Sequence, residues 1–147
     1  MAVQVRNDVT IRQFILRGDP KVKDSETFLK DATATAEIAA LTVVTQDPAT
    51  LKWVPLTNVA ATNGTGAPKG VVVDAIPEAD IKANDVTNQV VIVGGNGMNV
   101  DKNLLVFENS VALDDEITAL NITVEDALRQ IGIFAQDTDY VSQLENS

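Results

Sequence analysis

The sequence contains no cysteine and no histidine. A disulfide, a thiolate or imidazole metal site, a histidine general base and a cysteine nucleophile are therefore excluded together. Aromatic residues make up only 4 % of the chain against 45 % apolar residues in all. The core must be built from Val, Ile, Leu and Ala, a set that favours strands. Positive charge is scarce as well: 11 Lys and Arg face 21 Asp and Glu, a net charge of −10. That balance repels phosphate backbones and anionic lipid, so neither nucleic acid nor a membrane is expected as a partner. No apolar run approaches the ~18 residues of a membrane span. The opening residues show neither the apolar core nor the cleavage site of a signal peptide, and the expectation is a chain made and kept in cytosol.

The shortage of positive charge is not uniform. Residues 1–34 hold six Lys or Arg against five Asp or Glu, and the rest of the chain holds five against sixteen. A chain of 147 residues favours one domain with an appendage. The expected division is an extended N-terminal arm and linker over residues 1–36 and a β-rich domain over 37–147.

In MAVQVRNDVTIRQFIL the residues Val3, Val5, Val9, Ile11 and Ile15 fall on odd positions and Gln4, Arg6, Asp8, Thr10 and Arg12 on even ones. This period of two is the pattern of a half-buried strand. With Phe14 beside Ile15, these side chains are the candidate binding residues of the arm: Val3, Val5, Val9, Ile11, Phe14 and Ile15. A strand placed ahead of the main domain asks for a partner's sheet edge. Gly18-Asp19-Pro20 breaks the pattern, and residues 19–36 read as a linker, with a short helix from Ser25 as the alternative.

From residue 39 the pattern becomes regular. LTVVT, the turn QDPAT and LKWVPL predict a hairpin closed at Asp47-Pro48. GVVVDAI and QVVIVGG are apolar runs of the kind expected for buried strands, with a polar loop, PEADIKANDVTN, between them. A short strand is expected at 104–107. Thr123, Glu125 and Asp126 start a helix that Gly132 stops, and 133–135 read as a closing strand. The fold class is therefore mainly β with one or two short helices (α+β).

The chemistry-bearing motifs are weak. Gly94-Gly95-Asn96-Gly97 has the glycines of a phosphate loop but lacks the rest of the fingerprint, and it reads as a hairpin turn. Asp114-Asp115-Glu116, and Asp74 with Glu78 and Asp80, lack the spacing of a calcium loop or a glycosidase pair and read as solvated surface. The four serines have no base beside them in sequence. No enzyme activity, metal or cofactor is expected. Trp53, followed closely by Pro55, reads two ways: as a core residue or as an interface anchor.

In the hairpin LTVVTQDPATLKWVPL, the spacer NGTGAPKGVVVDAI and the later QVVIVGGNGMNVDKNLLVF, the chain resembles the head decoration proteins of tailed bacteriophages. The shared features are an arm, a hairpin bearing a tryptophan, a loop before a GVVV strand, a further strand and an Ile-rich terminal segment. The resemblance covers about residues 34–136 and is one of pattern. It implies a compact β-barrel-like domain of the β-tulip kind, and a homotrimer on the outer surface of the virion that cements major capsid protein subunits of the expanded head against internal DNA pressure. It also implies an arm that is mobile in the free trimer and adds a strand to a capsid-protein sheet. Here the arm is longer and more regularly alternating than that pattern, and the segment after Asp114 carries extra length. The alternative reading is a trimeric tail-fibre or adhesin module that binds host surface glycans, for which one Trp and one Tyr are poor provision. A small hydrolase built on paired carboxylates is the weakest reading.

Overall fold

The computed structural model describes residues 13–137. Its strands are β1 (Ile15–Phe28), β2 (Val43–Gln46), β3 (Trp53–Pro55), β4 (Gly70–Val72), β5 (Val86–Asp101), β6 (Glu116–Ile117), β7 (Ile122–Thr123) and β8 (Ile133–Gln136). Two helices, α1 (Glu78–Ala83) and α2 (Val124–Gln130), and a 3-10 turn at Lys102–Leu104 complete the order. The main sheet runs β1-β3-β2-β4-β5-β8, and β1 pairs with β5 as well. That extra pairing closes β1, β3, β2, β4 and β5 into a ring. Closure gives the short strands β2 and β4 a neighbour on each side and leaves most of the outer edge of β1 free. The fold of the described residues is mainly β with two short helices, as the sequence predicts.

Side-chain alternation explains why the apolar runs are unbroken. In β2, β4 and β5 the adjacent pairs Val43/Val44, Val71/Val72 and Ile92/Val91 split between two separate buried clusters. Both faces of these strands are buried, so both parities must be apolar. One cluster takes a side chain from every ring strand, namely Phe28, Val44, Trp53, Val72 and Val91, closed by Ile38, Ile76 and Ile81. These fill the ring. The other takes Val43, Val71 and Ile92 together with Met98, Val100, Leu128 and Ile133 from the C-terminal half. It packs on the ring's outer face.

The predicted hairpin is present: β2 and β3 pair antiparallel with Val44 opposite Pro55 and Gln46 opposite Trp53. Its turn is held by Asp47, whose Oδ2 accepts from the Thr50 amide at 3.2 Å and the Thr50 hydroxyl at 2.7 Å. The predicted helix start also holds, with Thr123 Oγ1 accepting from the Asp126 amide at 3.1 Å. The closing strand follows as β8 and pairs parallel with the far end of β5.

Several expectations are corrected. Residues 19–28 are not a linker: they belong to β1, which runs antiparallel along β5 from Ile15 opposite Val100 to Phe28 opposite Val86. The middle of β1, residues 17–25, is exposed, because only the last residue of the strand has a second neighbour strand, β3. Its charged residues and Pro20 blunt a long edge rather than mark a tether. Gly94-Gly95-Asn96-Gly97 is not a hairpin turn but the middle of β5, paired with Asp19–Lys21 of β1. The glycines are there for close approach: a Cβ on Gly132 would lie 1.9 Å from the Gly95 carbonyl oxygen, where the α2–β8 turn crosses β5. The loop expected over PEADIKANDVTN contains α1, anchored by buried Ile81. The strand expected at 104–107 reduces to a parallel bridge between Thr42 and Val106.

Candidate functional site

Of the candidate arm residues, Val3, Val5, Val9 and Ile11 lie outside the described residues. Phe14 is fully buried in the outer cluster, and Ile15 packs against it in β1. These two side chains belong to the folded body, so they correct the expectation that both serve as arm contacts. Any arm ends before Phe14.

Trp53 is 3 % exposed and fills the ring. Its indole Nε1–H donates to Glu26 Oε1 at 3.1 Å, across the β1–β3 closure. Gly70 makes the room, since a Cβ there would approach the Trp53 ring to 3.3 Å and Val91 to 2.8 Å. Of the two readings of Trp53 the structure takes the core one, and Trp53 presents no anchor to a partner. Pro55 is half-buried and does reach a surface groove.

The acidic motifs stay apart from any such feature. Asp114 and Glu116 are exposed, and Asp115 Oδ2 accepts from the Ala112 amide at 2.9 Å, which shapes a turn. Glu78 and Asp80 lie in the first turn of α1. Among the described residues no three His, Cys, Asp or Glu side chains converge as a metal site would require.

The feature that sequence reasoning missed is the groove that Pro55 borders. It has a volume of about 710 Å³ and lies between the 29–39 segment, the outer edge of β3 at Val54 and Pro55, and residues 106–109. The 29–39 segment is fixed at both ends. The Lys30 amide donates to Asp85 Oδ1 at 2.8 Å, the Asp31 amide donates to the Ile81 carbonyl at 2.9 Å, and Ile38 bridges Ile76. Thr33 curls onto Asp31, whose Oδ1 accepts from its amide at 3.0 Å and its hydroxyl at 2.8 Å.

The lining is apolar on its floor and acidic at its rim. Leu29, Ile38, Val54 and Val106 contribute apolar surface, whereas Asp31, Glu37 and Glu108 stand against Lys30 alone. None of these three carboxylates forms a salt bridge among the described residues. Burial pushes the Glu108 carboxyl above the usual carboxylate range, and the neighbouring charge of Asp31 pushes the same way. Asp85, under the groove's near end, is shifted down by the hydrogen bond from Lys52 and then by the Lys30 amide. A groove with this lining can hold an extended segment that carries apolar side chains and a cation. Its signal in the sequence is absent because residues far apart in the chain converge only once the ring has closed.

No family profile matches the chain, no curated protein matches it, and no solved structure matches it.

Proposed function

We propose that the protein decorates the outer surface of a tailed-bacteriophage head as a homotrimer, cementing major capsid protein subunits of the expanded shell. In this reading the N-terminal arm adds a strand to a capsid-protein sheet. The observation that carries it is where the folded body starts. Phe14 is fully buried, and the ring and both clusters assemble from the residues that follow. The alternating apolar residues Val3, Val5, Val9 and Ile11 therefore lie ahead of a body that already closes its sheet, which is the arrangement that strand addition to another protein requires. The likeness in the Trp-bearing hairpin and the GVVV strand supports the same reading. The tail-fibre alternative loses support from the burial of Trp53, because a glycan platform needs an exposed ring.

The test is co-sedimentation of the purified protein with expanded heads that lack it. Saturable retention on the heads is expected. A protein that stays in the supernatant at micromolar concentration overturns the proposal.

A further inference from the structure

The acidic groove has no assigned occupant, and the root of the arm lies close to it. Ile15 pairs with Val100 of β5, and the groove wall at Val106 comes only a few residues after Val100. Phe14 shares its buried cluster with Leu56 and Leu105, whose chain neighbours Pro55, Thr57 and Val106 line the groove. From Val100 to Val106 the chain spans at most ~20 Å, and the 3-10 turn at Lys102–Leu104 shortens that path. Twelve fully extended residues reach ~40 Å. Residues 1–12 therefore have the length to arrive at the groove of their own chain with about half of the segment left to lie in it.

The other terminal segment, residues 138–147, starts near the same wall, and charge separates the two. β8 ends at Gln136 opposite Asp101, and Asp137 pairs with Lys102 at 3.6 Å. Residues 138–147 carry Asp139 and Glu145 and no Lys or Arg, so the groove's Asp31, Glu37 and Glu108, offset by Lys30 alone, repel them. Residues 1–12 hold Arg6 and Arg12 against Asp8, interleaved with Val3, Val5, Val9 and Ile11. They match the groove twice, with apolar side chains for its floor at Leu29, Ile38, Val54 and Val106 and cations for its acidic rim. Half-buried Glu108 gains most from an incoming arginine, which stays charged and pairs with a carboxylate bidentately.

We infer that in the free protein residues 1–6 lie in the groove of their own chain, between residues 29–39, β3 and residues 106–109, with Val3 and Val5 on its apolar floor and Arg6 against Glu108. The groove thereby shields the apolar side chains of an edge-seeking strand. A contact within one chain is held by effective concentration rather than by strong binding. A partner's sheet edge, which adds ladder hydrogen bonds, can therefore displace it. The contact itself requires neither the homotrimer nor the heads of the proposed function; only its release on the shell does.

The absence of native cysteine makes the test clean. Val5→Cys is combined in one chain with Thr57→Cys, exposed at the groove, and the protein is oxidised mildly at several concentrations. The control pair is Val5→Cys with Gln130→Cys, which is exposed on α2 outside the groove yet also near the arm's root, since Ala135 and Ile15 both pair with Val100. On a non-reducing denaturing gel the Val5–Thr57 disulfide is expected within single chains, forming at a rate independent of concentration and about tenfold above the control pair. Glu108→Lys should slow it by about tenfold, and adding Arg6→Glu to that variant should restore it. An interchain Val5–Thr57 product, equal rates for the two pairs, a rate indifferent to Glu108→Lys, or no recovery with the charge swap overturns the inference. Each of these results leaves the proposed function standing, which head co-sedimentation tests separately.

Discussion

Thr45 is buried in β2 at 1 % exposure, and its hydroxyl has no hydrogen-bond partner. An unpaired buried hydroxyl retains its desolvation cost without return, while a methyl of the same shape does not. Thr45→Val is therefore expected to stabilise the fold by about 1 kcal/mol, read as a higher urea midpoint at unchanged slope; a lower midpoint would show that the hydroxyl does find a partner. Glu108 makes the complementary case for charge. Its folded-state pKa is raised, chiefly by burial and then by Asp31, so the folded protein holds the proton more tightly than the unfolded chain does. Its favourable contribution is present at pH below the ordinary glutamate range and is lost as pH rises through the elevated folded value. Asp85 acts with the opposite sign, because its lowered pKa gives stability that is lost as pH falls. Glu108→Gln should accordingly flatten the decline of melting temperature as pH rises just above the ordinary glutamate range and leave the acid limb unchanged. An unchanged profile just above the ordinary glutamate range would contradict this.

At the scale of elements, what was legible in the sequence depended on whether a signal was local. The β2–β3 hairpin carries its own turn chemistry at Asp47 and Thr50, and α2 carries its own cap at Thr123, so both could be read. The two-faced burial of β4 and β5 was legible as continuous apolar runs. β1 was not, because a strand with one neighbour over most of its length buries neither face and keeps no period. The glycines of β5 misled for a related reason, since their meaning lies in a crossing with a turn some 35 residues later in the chain. The groove was invisible for the same cause. That crossing gives a prediction at its own scale. Gly132 has φ +88°, and a Cβ there would meet the Gly95 oxygen at 1.9 Å, so Gly132→Ala combines backbone strain with a backbone clash. A loss of ~3 kcal/mol or more is expected. Gly97→Ala, with φ +57° and nothing within 4 Å, should cost only about 1–2 kcal/mol. Equal losses in denaturant titrations would mean that the turn can move away from β5.

For the whole molecule the decisive question is what the segment before Phe14 contributes to assembly. Burying Val3, Val5, Val9 and Ile11 yields about 2 kcal/mol apiece. Ordering twelve residues of backbone consumes more than that gain at ~1–2 kcal/mol each, so a single arm holds a partner weakly even with ladder hydrogen bonds. In the proposed trimer three arms would change the outcome, because once the first is engaged the others bind at high effective concentration. The boundary of the body sets the right truncation. Removing residues through Lys30 would delete β1, with Phe14 and Phe28 from the two clusters, and would unfold the protein for reasons unrelated to attachment. Deleting Met1 to Arg12 leaves Phe14 in place. This variant should remain folded and soluble, with the emission of its one tryptophan unchanged because Trp53 stays inside the ring, yet it should no longer co-sediment with expanded heads. Val9→Asp combined with Ile11→Asp should act likewise by setting charges on the face that a partner sheet must bury. Retention equal to the full-length protein by either variant would place the cementing contact on the body, and strand addition by the arm would then be abandoned.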